Sequence, residues 1–221
     1  MTSSTTPRTP AADTLTGDTG LHLPEFDAPP EEPLGLVRAW LEGARERGVR
    51  EPNAAVIATA DASGRPSTRV VSIKEADGRG LVFTSFRGSR KGRELTERPW
   101  ASVTFYWRET LQQLTVAGGV ELLRAEESDR LFAERPRAAR ATTAVSRQSR
   151  TLDDEAELRE RARRLADGEA PLERPAEWTG YRLLPERVEF WYGSPDRLHR
   201  RLQYERAAPG TAAWSHRRLQ P

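Results

Sequence analysis

The chain has 221 residues, with 35 Lys and Arg against 33 Asp and Glu, a formal net charge of +2 and no cysteine. That length allows one sizeable core, and the lack of cysteine excludes disulfides, thiolate nucleophiles and cysteine-ligated metals. Nearly all basic residues are arginines that alternate with acids, as across 155–164, which is the pattern of a salt-bridged helix surface and not of a nucleic-acid face. No apolar run approaches the ~18–20 residues that span a bilayer. The opening MTSSTTPRTPAADTLTG lacks the basic start and apolar stretch of a signal peptide, so a cytoplasmic protein without a membrane partner is expected.

Residues 1–30 are rich in Thr, Ser, Pro, Asp and Gly and lack a hydrophobic period. They are expected to form a flexible arm, with Leu21, Leu23 and Phe26 available to dock on a partner surface. Residues 31–221 are expected to form one domain. Leu36, Val37, Trp40, Leu41 and Ala44 recur at helical spacing and predict a helix over Pro33–Gly48. AAVIATA from Ala54, TRVVSI and LVFTSF read as strands, separated by the turn signals DASGRPS and EADGRG. Ser89–Glu97 reads as a short helix. Strands follow at Trp100–Trp107, Gln112–Val116 and, after Gly118-Gly119, Val120–Leu123. Helices are predicted over Ala125–Glu134 and Asp153–Ala166, and strands at Tyr181–Leu184, Arg187–Tyr192 and around Leu198–Tyr204. The fold class is therefore mainly β with peripheral helices, an antiparallel closed or split barrel. The strand connections are too short for a doubly wound sheet.

Four segments hold residues suited to chemistry. On the strand Arg69–Lys74, alternation puts Arg69, Val71 and Ile73 on one face and Val70, Ser72 and Lys74 on the other. By itself this reads more simply as a strand with charged ends. In TSFRGSRKGREL, hydroxyls from Thr84, Ser85 and Ser89 meet the cations Arg90 and Lys91 at a helix start, the combination a phosphate needs; an ordinary N-cap followed by solvated basic residues has the same sequence. AVSRQSR offers Gln148 and Ser149 in a loop. In EFWYGSPDRLHRR, Trp191 can stack on a planar ring, and an extended 197–201 would line up Arg197, His199 and Arg201. No Ser-His-Asp set, HExxH, GxGxxG or phosphate-binding P-loop motif occurs, and the histidines are too scattered for a metal. A borrowed cofactor is the economical source of chemistry.

Together REPNAAVIATAD, RVVSIK, GSRKGREL, SRQS, EFWYGSPDRLHRR and the terminal RRLQP resemble the pyridoxamine 5′-phosphate oxidase family, in its order, over roughly residues 33–221. The resemblance implies an FMN-binding split β-barrel and a homodimer with FMN at the subunit interface. It implies cofactor contacts from Arg69, Val70, Val71, Ser72, Ile73, Lys74, Thr84, Ser85, Arg90, Lys91, Gln113, Gln148, Ser149, Trp191 and Arg201. Arg197 and His199 match catalytic residues that face the substrate above the flavin. The implied reaction passes a hydride to FMN, with O2 as final acceptor and hydrogen peroxide as product.

The vitamin B6 enzymes of that family grip a substrate phosphate with Lys, Tyr, Arg and Ser. Here Lys74 and Arg135 match, while Leu131 and Ala139 stand at the tyrosine and serine positions. Losing two hydrogen bonds to a charged group costs about 3–6 kcal/mol, although Arg137 or Arg140 could compensate. LTG in the arm, GRPSTRVV and PWASVTFYWRETLQQ are similar to the phenazine-biosynthesis branch, whose substrates are flat, anionic and free of phosphate. Lys74 departs from that branch, where an uncharged residue is expected. The expected substrate is thus a small anionic ring compound, a reduced phenazine-type carboxylate bound near Lys74, Leu131, Arg135, Ala139, Arg197 and His199. The alternative is pyridoxine or pyridoxamine 5′-phosphate.

Overall fold

The computed structural model describes residues 15–208 and 211–221. The arm's residues 1–14 lie outside the described residues. Glu32 opens α1 (Pro33–Glu46): its carboxylate accepts the Leu34 and Gly35 N–H groups, and Pro33 sits in the first turn, where its missing N–H costs nothing. Leu34, Val37, Trp40, Leu41 and Ala44 form its buried stripe. The Trp40 ring meets Phe190 edge-on at 4.9 Å, and its Nε1 donates to Glu25 Oε1. Leu23 and Phe26 are buried in the same core.

The hairpin of β1 (Ala54–Ala60) and β2 (Pro66–Ser72) turns on Asp61, whose carboxylate accepts N–H groups from Ser63 and Arg65, while Gly64 takes φ +83°. A short β3 (Glu75–Asp77) pairs with β4 (Gly80–Phe86), where the sequence suggests only a turn. Then come α2 (Arg90–Glu97), β5 (Trp100–Trp107) and β6 (Gln112–Leu122). Three helices follow: α3 (Ala125–Ala133), α4 (Arg137–Val145) and α5 (Glu155–Asp167). The chain closes with β7 (Trp178–Tyr192), β8 (Arg200–Arg206) and β9 (Trp214–Arg218).

All pairings are antiparallel in one nine-stranded sheet of order β2-β1-β5-β6-β7-β4-β3, with β8 on β7 and β9 on β8. The long β7 pairs along one edge with β6; its other edge is divided between β4, over Trp178–Leu183, and β8, over Arg187–Tyr192. The Lys74 N–H donates to the Val82 carbonyl at 2.7 Å, which carries the β3–β4 ladder up to the end of β2 and links the two ends of the strand order. This is the mainly β, split-barrel architecture with peripheral helices that the sequence predicts.

Two predicted strand pairs are each one strand. Gly118 and Pro185 read as breaks, but they meet at a β-bulge, where the β6–β7 register shifts between Ala117 and Gly118. A Cβ on Gly118 would lie 1.9 Å from the Leu184 carbonyl oxygen, so only glycine lets the bulge close. Among the described residues no helix is long and apolar enough to cross a membrane.

Candidate active site

The start of α2 gathers polar groups from three parts of the chain. Ser89 caps the helix: its hydroxyl accepts from Gly92 N–H and donates to the Phe86 carbonyl. Gly92 is required because a Cβ there would strike the Phe86 and Arg87 carbonyl oxygens at 2.4 and 2.3 Å. Ser85, on β4, donates to Gln148 Oε1 at 3.1 Å, and Lys91 Nζ reaches the same oxygen at 3.3 Å. Ser149 Oγ accepts the Arg90 N–H at 3.2 Å from a backbone with φ +69°, a left-handed conformation that costs a serine free energy. Ser85, Arg90, Lys91, Gln148 and Ser149 therefore converge in one chain. Lys91 is buried and forms no salt bridge among the described residues. Burial, then the nearby Arg69 charge, push its ammonium down to about 8.

Arg69 approaches this cluster from β2. Ser67, Arg69 and Val71 face inward on that strand, while Val70 and Ser72 face out, as the period of two requires. Ile73 is buried in the core. Arg69 Nη1 donates to Thr59 Oγ1 at 2.6 Å, and its Nη2 lies 3.3 Å from Glu94 Oε2. Thr84 and Ser85 point to opposite faces of β4. Ser85 faces the Lys91 cluster, whereas Thr84 shares its face with Val82 and Phe86 toward α3.

A second group forms a row across three strands. Gln113, Trp191 and Arg201 are register partners on β6, β7 and β8, so their side chains share one face. Arg201 is fixed by Glu189 Oε1 at 2.8 Å and by the Gln220 carbonyl at 3.0 Å. The expected extended run 197–201 does not form. Asp196 Oδ1 accepts the Leu198 N–H, Arg197 N–H donates to the Ser194 carbonyl, and Arg197 takes φ +67°, so a turn precedes β8. His199, ahead of β8, still packs beside the row. Its ring sits 4.8 Å from that of Trp191, and its Nδ1 accepts the Ser194 N–H at 3.0 Å. In the neutral ring the proton then resides on Nε2, which is turned away from that backbone contact. The arm reaches this turn: Leu15, Thr16, Gly17 and Thr19 line a cleft of about 260 Å³ with Pro195 and Arg197.

A third group lies on α3 and α4. Leu131 is buried with Phe132 and Trp178. The Arg135 guanidinium stacks over Trp178 at 5.2 Å and donates to Thr143 Oγ1 at 2.6 Å, which in turn donates to the Ala139 carbonyl. Burial holds Arg135 below the ordinary arginine value, and it has no carboxylate partner among the described residues. Arg137 is committed to the carbonyls of Leu165, Ala166 and Ala170 at the end of α5, so it does not replace a missing phosphate contact. Arg140 keeps a buried Nε without a partner among the described residues. Lys74 stands apart from this group, exposed, with Nζ 3.4 Å from Ser72 Oγ.

The pyridoxamine 5′-phosphate oxidase model matches residues 41–167, and the pyridoxine 5′-phosphate oxidase C-terminal dimerisation region matches residues 178–221. The chain belongs to the pyridoxamine 5′-phosphate oxidase family. Within this family it is 46% identical to a dihydrophenazinedicarboxylate synthase of Pseudomonas chlororaphis, covering 95% of this chain and 93% of the relative. It is 43% identical to a pyridoxine/pyridoxamine 5′-phosphate oxidase of Burkholderia cenocepacia, over 90% and 93%. The structure of PhzG from Burkholderia lata 383 in complex with tetrahydrophenazine-1-carboxylic acid superposes with a TM-score of 0.89 at 44% identity, covering 93% of this chain and all of that one.

Several residues of this oxidase-family site escape sequence reasoning. Glu94 binds both Arg69 and Arg90; its position four residues after Arg90 on a helix is the one available signal. Thr59 and Thr143 have no local signal, since each meets its arginine only through tertiary contact.

Proposed function

We propose that this protein is an FMN-dependent oxidase of a reduced phenazine-type carboxylate, with O2 as final acceptor and hydrogen peroxide as product. The observation that carries the reading is a pair of cations that meet no carboxylate among the described residues: Lys91, buried at the start of α2, and Arg135, half-buried over Trp178. Such groups call for anions from outside the chain.

The two anions differ. Arg69, Arg90 and Lys91, with Ser85, Gln148 and Ser149, supply cations and hydroxyls suited to the FMN phosphate. At Arg135 the surroundings are Leu131, Phe132 and Trp178, with alanine at 139, which suits a flat ring bearing a carboxylate. When bound, FMN supplies the two-electron acceptor, and the protein's task is placement and electrostatics. Trp191 and Gln113 offer a stacking face and a polar edge for a ring, and Arg201 a held positive charge. Arg197 and His199 serve the substrate, His199 from beside Trp191 with its Nε2–H as a donor.

Within one chain the Lys91 cluster and the Gln113–Trp191–Arg201 row lie on different parts of the sheet. A homodimer that brings one cluster against the other copy's row completes the site, which agrees with the dimerisation-region match over residues 178–221. The identity to the phenazine-pathway relative and the likeness to PhzG support this substrate class. The test is a paired assay under air. Hydrogen peroxide formation is expected with a reduced phenazine carboxylate. Efficient conversion of pyridoxine 5′-phosphate instead would transfer the protein to the vitamin B6 reading, which the retained Lys74 and Arg135 favour.

A further inference from the structure

Glu94 lies on the first turns of α2, 4% exposed, behind the phosphate cradle. A buried carboxylate is tolerated only when it is paired and fully hydrogen-bonded, and this one is. Oε1 accepts from Arg90 Nε at 2.9 Å. Oε2 accepts from Ser67 Oγ at 2.6 Å, from Thr59 Oγ1, and from Arg69 Nη2 at 3.3 Å. Burial works to raise its pKa, but the bonds from Ser67, Thr59 and Arg90, with the Arg69 charge, bring it down to about 2. Glu94 thus joins β1, β2 and α2 at a single point and gives the guanidiniums of two elements one shared acceptor. Without it, Arg69 and Arg90 would face one ligand oxygen group while repelling each other. Three cations, Arg69, Arg90 and Lys91, against this one carboxylate leave the net charge that a phosphate monoester dianion neutralises.

We infer that Glu94 is a positioning residue: through its two oxygens it holds Arg69 and Arg90 in the arrangement that receives the FMN phosphate, and so sets the preference for FMN over riboflavin. This rests on the FMN reading and adds a residue that acts through the two arginines. A carboxylate that merely diluted the cradle's positive charge would have the opposite effect, so the sign of one substitution separates the two roles.

The experiment titrates the full-length protein with FMN and with riboflavin, following flavin fluorescence, for wild type, Glu94→Gln and Ser67→Ala. Wild type is expected to prefer FMN. Glu94→Gln removes the charge and turns one of the two acceptor oxygens into a donor, so the two arginines lose their shared carboxylate; it is expected to weaken FMN about 10-fold, the worth of one charge-assisted hydrogen bond, with riboflavin unchanged. Ser67→Ala keeps every charge but loosens Glu94, and is expected to weaken FMN about 3-fold by the same logic; it decides the matter if Glu94→Gln does not fold. FMN binding to Glu94→Gln that equals or exceeds wild type overturns the inference. So does an equal loss of both flavins, which marks a general packing role. If wild type binds no FMN, the FMN reading itself fails and this inference falls with it.

Discussion

Replacing Lys91 with methionine removes a buried charge while keeping most of the side-chain volume. Burial and the Arg69 charge lower this ammonium from 10.5 to about 8. At pH 7 the group is protonated in both the folded and the unfolded chain, so the whole cost of burying the charge weighs on the fold. That gap corresponds to about 3 kcal/mol. As pH rises past about 8 the folded chain releases its proton first, and the cost fades until the unfolded chain follows near 10.5. Lys91→Met is therefore expected to stabilise the flavin-free protein by up to about 3 kcal/mol at pH 7, with the gain vanishing by about pH 10.5. FMN affinity should move the other way. Loss of one charge-assisted bond to phosphate is worth about 1.5–3 kcal/mol, or roughly 10–150-fold in Kd. Urea unfolding of the flavin-free proteins at both pH values, beside FMN titrations, measures the two effects. A variant less stable than wild type at pH 7, or one with unchanged FMN affinity, would refute the reasoning.

Other outcomes follow from the same geometry. FMN affinity of the wild type should fall as pH rises above about 8, where the flavin-free protein loses the Lys91 proton that the bound phosphate retains; a flat titration up to pH 10 would contradict this. Arg135→Ala should raise KM for a carboxylate substrate roughly 10- to 100-fold while leaving FMN Kd unchanged, as steady-state kinetics would show. The Tyr192 hydroxyl accepts the Leu21 N–H at 3.0 Å and donates to the Asp18 carbonyl at 3.1 Å. Tyr192→Phe should accordingly speed hydrogen exchange at the Leu21 amide by about 10-fold, the worth of one or two hydrogen bonds. Gly118→Ala should cost on the order of 3 kcal/mol or prevent folding, because its Cβ has no room beside the Leu184 carbonyl; thermal unfolding reads this.

Much of the fold is legible in the sequence where a single local rule decides it. Trp100–Trp107 alternates faces and is bounded by Pro99 and the Arg108–Thr110 turn, and it forms a strand over just those residues. The Pro33 helix carries its apolar stripe and its stop in adjacent residues, differing only at its last two positions. Where two distant segments decide together, local signals mislead. Gly118-Gly119 and Pro185 each read as a break, yet facing one another they make a bulge inside continuous strands. β9 is a short, mostly exposed edge strand without an apolar period, and only its pairing with β8 reveals it. α4, RAARATTAV after Pro136, has helix-favouring residues and a helix-start proline but buries only Ala141 and Thr143, so it lacks the apolar stripe by which α1 is read; it packs against α5.

The candidate site divides the same way. Ser89, Arg90 and Lys91 are recognisable because a helix cap and its cations are contiguous in sequence. The alternation rule correctly separates Arg69 from Val70, but it fails at Arg197 and His199, where Asp196 and a left-handed backbone make a turn. Thr59 and Thr143 act through tertiary contacts that no local pattern records, and Glu94 shows only its i,i+4 spacing to Arg90.

The most direct test of the central claim is anaerobic. Protein loaded with FMN is mixed, without O2, with a reduced phenazine carboxylate, and flavin absorbance is followed. The account predicts bleaching in a single turnover and recovery of colour with hydrogen peroxide when air is admitted. Protein that retains no FMN, or bound flavin that stays oxidised with this substrate while pyridoxine 5′-phosphate bleaches it, would contradict the account.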